Sequence, residues 1–218
     1  ASQTKDNLHL AACIGGTFSL QDLALAQKET ALLVANSLQP ALQENLIVPT
    51  QLKDEWLEGV SEVELLKREY RFQHDKVQQA CYELKPIEET KHIHLELARR
   101  WAASYKPDDA GTRVMAIADQ FNKGLIYVVD VAEKRKIAEF NYEAAQVALQ
   151  SAAYNLSYQY SGMAKNLLSE TAWETDYDFC FKVYFSYIQS AFLSRYFNEA
   201  TQAAEESLLK AKTSLEKV

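Results

Sequence analysis

The spacing of hydrophobic and polar residues predicts a chain that is helical over most of its length. Apolar residues recur with helical spacing in residues 4–14, 20–27 and 29–46. We expect Gly15 and Gly16 to end the first of these helices and Ser19 to cap the second. The third contains a proline at position 40, which predicts a kink or a break because proline lacks a backbone N–H.

Two short segments of the first half depart from this period and predict strands. Residues 46–49, LIVP, are β-branched and end in a proline, and in YRF residues Tyr70 and Phe72 share one face. Residues 50–68, around Trp56, are acidic and weakly periodic, which favours a long surface connection with one helical turn at most. Three helices followed by a two-stranded hairpin are the plan of a winged helix.

The helical period resumes at Asp75, directly after His74. We predict that Asp75 caps this helix, with Gln78 three residues later as its capping-box partner. His74 is then open to two interpretations. It is either a packed, hydrogen-bonded residue that shapes the join, or part of a His-Asp pair that carries chemistry.

The second half predicts a helical array. Residues 105–112, YKPDDAGT, contain proline, glycine and two aspartates and predict a linker between a domain at 1–104 and another at 113–218. Beyond it, small residues alternate with aromatic ones, a composition that lets helices approach closely. The tyrosines could line a peptide groove, but the composition favours a core that fills the space between helix layers. Residues 195–208 resemble the second half of a tetratricopeptide repeat, although Arg195 stands where that repeat has glycine. Such units must stack to bury their apolar faces.

Composition narrows the class of protein. Among 218 residues, 48% are hydrophobic while only 6 are glycine and 4 proline, which favours a mainly α fold. A net charge of -7 opposes binding to phosphate backbones, so we expect no nucleic acid partner. No apolar run reaches membrane-spanning length and no signal peptide is evident. Three widely spaced cysteines favour reduced thiols and a cytoplasmic location. The missing initiator methionine suggests a fragment of a longer protein.

The motifs of several enzyme classes are not found in the sequence. There is no G-x-x-x-x-G-K-S/T or G-x-G-x-x-G for a nucleotide, and no G-x-S-x-G for a nucleophile. His92 and His94 are two residues apart on a predicted helix and point to different sides, so they cannot share a metal ion, and His9 is remote in sequence. We therefore expect no catalytic residues, no metal and no cofactor in this fragment.

Stretches covering nearly the whole chain resemble the winged-helix segment and following helices of STAND-class signalling ATPases, a branch of the AAA+ superfamily. They include LHLAACIGGTFSLQDLALA, LQPALQENLIVP and HIHLELARRW in the first half, and AEFNYEAAQVALQSAAYNLSYQYSGMAKNLL in the second. The most specific is aromatic-x-His-Asp-x-Val-Gln-x-Ala, from Phe72 to Ala80. The resemblance is strongest to ATPase modules of bacterial multi-sensor serine/threonine or histidine kinases. It implies a winged helix followed by an α-α superhelical tetratricopeptide-like array.

The resemblance also implies roles for the His-Asp pair. In such ATPases the histidine senses the nucleotide near the β-phosphate of ADP, a role that falls on His74, with Asp75 anchoring the helix start. Gln73 departs from the pattern, which has an apolar residue there. ADP or ATP is expected in the full-length parent, on an upstream nucleotide-binding domain of the same chain, and a protein partner or signal on the helical repeats. The alternative is a DNA-binding winged-helix transcription regulator with a helical oligomerisation arm. The third predicted helix carries no Lys or Arg, which opposes that alternative.

Overall fold

A computed structural model describes residues 2–51, 61–106 and 111–212. The described residues form twelve α-helices and one small sheet, which confirms the mainly helical prediction. The chain divides into two compact units, residues 1–103 and 104–218. Part of the predicted linker, residues 107–110, lies outside the described residues, as does the part of the predicted acidic connection that contains Trp56.

The first unit combines helices with three short strands. In chain order its elements are α1 (Ser2–Ile14), β1 (Thr17–Ser19), α2 (Leu20–Gln27), α3 (Ala31–Gln43), β2 (Ile47–Pro49), α4 (Glu62–Leu66), β3 (Glu69–Phe72), α5 (Asp75–Tyr82) and α6 (Ile87–Ser104). Apolar side chains from α1, α2, α3 and the sheet form one buried core, which includes Leu8, Leu20, Leu23, Val34, Leu38 and Ile47.

Strand β3 is the centre of the sheet. It pairs antiparallel with β2, where Ile47 lies opposite Phe72, so the predicted hairpin is confirmed. It also pairs antiparallel with β1, where Phe18 lies opposite Tyr70. The prediction of two strands is wrong because it missed β1. Three residues, the last of which is the cap of the next helix, are too few to show the alternation that marks a strand.

The start of α2 agrees with the sequence prediction, whereas the course of α3 at Pro40 differs from it. Ser19 caps α2, since its Oγ accepts a hydrogen bond from the Asp22 N–H at 3.0 Å. A kink or a break was expected at Pro40, and the break is wrong, because α3 continues through Pro40 to Gln43. Pro40 and Asn36, whose carbonyl loses its helical partner, are both exposed. Water can therefore satisfy that carbonyl, which lowers the cost of the proline.

The second unit is an array of helices. Its elements are α7 (Gly111–Gly124), a 3-10 helix (Leu125–Tyr127), α8 (Val131–Gln150), α9 (Tyr154–Asn166), α10 (Ala172–Thr175), α11 (Tyr177–Leu193) and α12 (Phe197–Lys210). Helix α7 packs on α8, α8 on α9, α9 on α11, and α11 on α12. None of the described helices is long and apolar enough to cross a membrane.

Small side chains bring these helices together. Ala138, Ala164 and Val183 are fully buried and, with Phe179, form one cluster between α8, α9 and α11. The expected mixture of small and aromatic residues in the core is therefore confirmed. The three cysteines, all in the described part of the chain, are buried and form no disulfide. Burial raises the pKa of Cys180 to about 11, so its thiol is protonated at neutral pH.

Candidate functional site

The candidate site is the turn between β3 and α5. Phe72, the last residue of β3, is buried in the core, and the next backbone N–H, of Gln73, donates to the Leu46 carbonyl at 3.0 Å. These two contacts fix the point at which the chain leaves the sheet. They place His74 directly before the first residue of α5.

His74 is the N-cap of α5. Its backbone is extended, with φ -144 and ψ 149, and its carbonyl accepts the first helical hydrogen bond from the Val77 N–H at 2.9 Å. Its side chain makes no cap hydrogen bond. The prediction that Asp75 caps α5 is wrong, because Asp75 is the first residue of the helix itself. The predicted capping box is wrong as well, and the Gln78 side chain lies beside Gly16.

The His74 and Asp75 side chains are both exposed, so the interpretation of His74 as a packed residue is wrong. An exposed imidazole therefore stands at the start of a helix that has no side-chain cap. The first N–H groups of a helix lack internal partners and carry the positive end of the helix dipole, which favours an anion. The Asp75 carboxylate in the same turn offsets part of that potential. The arrangement suits a weak, reversible contact with a phosphate better than a tight one.

The other end of α5 is held by two buried histidines. The His9 Nδ1–H of α1 donates to the Cys81 carbonyl at 3.0 Å, and the Tyr82 hydroxyl shares a 2.9 Å hydrogen bond with His94 Nε2 of α6. His9 and His94 are each only 1% exposed. Burial raises the pKa of Tyr82, so its phenol keeps its proton at neutral pH. The start of α5 therefore has no side-chain cap, whereas its end is held by hydrogen bonds to α1 and α6.

Sequence reasoning did not find this arrangement. His9 and Thr90 meet only in the folded chain, where His9 Nε2 lies 3.5 Å from Thr90 Oγ1. The sequence signal that was available is the position of His9 among apolar residues of α1. His92 is exposed while His94 is buried, which confirms that the two point to different sides. In the part of the chain that the structure describes, no three His, Cys, Asp or Glu side chains are grouped to hold a metal ion.

The open start of α5 leads to a stability prediction. We expect His74→Ser to raise the free energy of unfolding by about 1 kcal/mol, because serine accepts a hydrogen bond from the first turn of a helix. Urea denaturation of the 218-residue chain measures the change. The matched control is Asp130→Ala, which removes a cap that does form on α8, where Asp130 accepts from the Glu133 N–H at 2.9 Å. Asp130→Ala should lower the free energy of unfolding by about as much as His74→Ser raises it. A lower free energy of unfolding in both variants would contradict the prediction.

Comparison with known proteins finds a distant relative. Hybrid signal transduction histidine kinase G of Dictyostelium discoideum is 25% identical over an alignment that is 258 positions long, gaps included. The likeness covers 96% of this chain, hence both units, but only 8% of the relative. No family model matches the chain, and no solved structure matches it. The match indicates a signalling-kinase context for this chain.

Proposed function

We propose that this chain is a non-catalytic regulatory segment of a cytoplasmic signal-transduction ATPase or multi-sensor kinase. It couples the nucleotide state of an upstream nucleotide-binding domain to the binding of a partner or signal by the helical repeats. The observation that carries the proposal is the exposed His74 side chain at the uncapped start of α5. A residue that only shaped the join would be expected to pack its side chain or to cap the helix with it, and the His74 side chain does neither.

The topology of the first unit supports a winged helix. Its elements follow the order helix, strand, helix, helix, strand, strand, apart from the short α4 between the last two strands. The last strand lies between the other two, in the order β1-β3-β2. The hairpin β2–β3 then corresponds to the wing, and α5 follows directly from it. In this arrangement His74 lies where a neighbouring domain can reach it.

The relative supports the signalling part of the proposal. By its name it is a hybrid signal transduction histidine kinase, and the likeness runs through both units of this chain. The resemblance seen in the sequence pointed to bacterial kinases, whereas this relative is from Dictyostelium discoideum. We therefore extend the proposed context to signalling kinases in general. The chain spans less than a tenth of its relative, so the nucleotide-binding domain and the output are assigned to the rest of a longer protein.

The proposed mechanism uses α5 as a link. The imidazole at the start of α5 can donate one N–H to a phosphate oxygen of ADP held by the upstream domain. Helix α5 passes a change at His74 to α6 through the hydrogen bond between Tyr82 and His94. Helix α6 ends at Ser104, where the second unit begins. A partner that binds the helical array more tightly in one state shifts the balance between states in proportion to that preference.

The DNA-binding alternative is less well supported. In a winged helix the third helix enters the major groove and needs cations for the phosphates. Helix α3 has no lysine or arginine, and its exposed positions include Leu32, Leu33 and Pro40. A gel shift at low salt separates the two functions, since the regulatory proposal expects no retarded DNA.

The test of the proposed function is His74→Ala in the full-length parent. One hydrogen bond to a charged group contributes about 1.5–3 kcal/mol, so we expect ADP to dissociate about 10–150 times faster. Stopped-flow release of a fluorescent ADP analogue measures the rate. His92→Ala, which changes another exposed histidine of the same unit, is the control and should leave the rate unchanged. Equal rates in the wild type and His74→Ala would reject the role of His74.

A further inference from the structure

The second unit contains two helix hairpins with the same turn. Ala152, after α8, and Arg195, after α11, have φ values of 56 and 67 and lie 43 residues apart. In the first turn the Ala153 N–H donates to the Ala148 carbonyl at 2.9 Å. In the second, Tyr196 donates to the Ala191 carbonyl, also at 2.9 Å. The hairpins α8–α9 and α11–α12 are therefore equivalent at a step of 43 residues.

In the first hairpin, the groove between α8 and α9 is filled by α11. The Gln146 side-chain amide of α8 donates to Ser186 Oγ of α11 at 2.8 Å, and Ser161 of α9 and Ser190 of α11 are joined at 2.8 Å. Helix α11 therefore lies across both helices of that hairpin. Its other contacts include the buried cluster of Ala138, Ala164, Val183 and Phe179 and two pairs of aromatic rings.

The aromatic contacts complete this interface. The rings of Tyr142 and Phe179 meet edge to face at 5.9 Å, and those of Tyr158 and Tyr187 lie 5.2 Å apart. Tyr142 belongs to α8 and Tyr158 to α9, so each helix of the hairpin supplies one ring and one polar group to α11. Tyr142, Gln146, Tyr158 and Ser161 therefore form part of the surface on which α11 packs.

The second hairpin has an open groove at the equivalent place. The four contact residues of the first hairpin are Tyr142, Gln146, Tyr158 and Ser161. Adding 43 to their residue numbers gives four residues of α11 and α12. All four line a groove of about 460 Å³: Phe185, Gln189, Thr201 and Ala204. The place that holds α11 in the first hairpin is thus an open groove in the second, without an occupant among the described residues, and α12 has Thr201 and Ala204 there where α9 has Tyr158 and Ser161.

The exposed side of α11 has the character of a packing surface. Phe185 is 61% and Phe192 60% exposed. Along its 17 residues α11 carries charge only at Asp178 and Lys182, so it is apolar nearly all round. A helix of that kind is stable when it is covered on both sides. Large exposed apolar patches mark binding surfaces.

We infer that the groove between α11 and α12 binds a further helix of the α11 type, which extends the array by one step. The inference rests on the helical-repeat part of the proposed function and is continuous with the α8–α9 interface with α11. The occupant is an amphipathic helix that places an aromatic ring on Phe185 and a small hydroxyl residue beside Gln189. It carries no charge on that face, because the groove offers no charged partner along its lining.

A second copy of this chain does not supply that helix. The face of α11 that fits such a groove includes Val183 and Ser190, and both are already fully buried. A second copy could offer only its own exposed groove, whose lining does not include Ser186 and Ser190 of the inner face. The occupant is therefore a helix from outside the described residues that continues the array.

The test is a binding titration with a designed 17-residue peptide. The peptide keeps the α11 residues that face α8 and α9, including Phe179, Val183, Ser186 and Ser190, and has glutamate and lysine at the other positions. We expect fluorescence anisotropy to show saturable binding to the 218-residue chain. Ala204→Glu places a charge in the groove and should weaken binding by about tenfold or more.

A second groove variant and one control variant distinguish binding in the groove from binding elsewhere. Thr201→Glu changes an exposed groove residue and should also weaken binding, whereas Ala132→Glu changes an exposed alanine of α8 and should not. No binding, or binding that neither groove variant weakens, overturns the inference. Sedimentation that shows self-association, abolished by Ala204→Glu, overturns it in favour of a second copy. The ADP-release experiment concerns only His74, so each proposal can fail while the other stands.

Discussion

Leu38→Ala is expected to lower the free energy of unfolding by about 3–5 kcal/mol. Leu38 lies in α3, is fully buried, and belongs to the core that α1, α2 and the sheet share. Removing its branched end loses the transfer of those atoms from water and leaves a cavity that close-packed neighbours fill only in part. Urea denaturation followed by circular dichroism measures the change at helical wavelengths.

The control for this substitution lies on the same helix. Leu32 is 47% exposed, so Leu32→Ala loses little burial while keeping the same change of residue type and helix propensity. We expect a loss below about 1 kcal/mol. Similar losses for Leu32→Ala and Leu38→Ala would contradict the described orientation of α3, and with it the placement of the sheet that leads to His74.

Ala164→Leu is expected to destabilise the second unit by about 1–3 kcal/mol. Ala164 is fully buried in α9, in the cluster with Ala138, Phe179 and Val183. Small side chains at this point let α9 approach α8 and α11 closely, so three added carbons must push the helices apart or twist side chains out of their preferred rotamers. Thermal unfolding of the variant measures the loss as a lower midpoint.

An exposed alanine of the same unit provides the comparison. Ala132 lies in the first turn of α8 and is exposed, so Ala132→Leu adds the same atoms where water surrounds them. We expect a change within about 0.5 kcal/mol. If Ala164→Leu proved as harmless as Ala132→Leu, the close packing of α9 against its neighbours would be wrong.

Local signals predicted much of the fold. The helical spacing and Ser19 placed α2 correctly, because a cap hydrogen bond and the apolar pattern agree within a few residues. At the start of α5 the same reasoning misplaced the cap by one residue. The hydrogen bond from the Gln73 N–H to the Leu46 carbonyl, two residues before α5 begins, fixes the chain at this point and joins segments distant in sequence. The residues next to His74 along the chain give no indication of that contact.

The sequence indicated one repeat unit, residues 195–208, but not its equivalence with the α8–α9 hairpin. A tetratricopeptide repeat has glycine at this turn, yet Ala152 and Arg195 adopt the left-handed conformation with ordinary side chains. Of the four equivalent contact positions only Gln146 and Gln189 are identical, while Tyr142 corresponds to Phe185. The contacts of His9 and His94 at the end of α5 likewise depend on tertiary packing. The exposed position of His74 could not be read from its neighbours along the chain.

The two left-handed turns bear on how the second unit comes together. An alanine or an arginine in that conformation is disfavoured by about 1–2 kcal/mol in an isolated chain. The packing of α8 on α9 and of α11 on α12 must therefore offset this cost, so neither bend is expected to persist without its two helices.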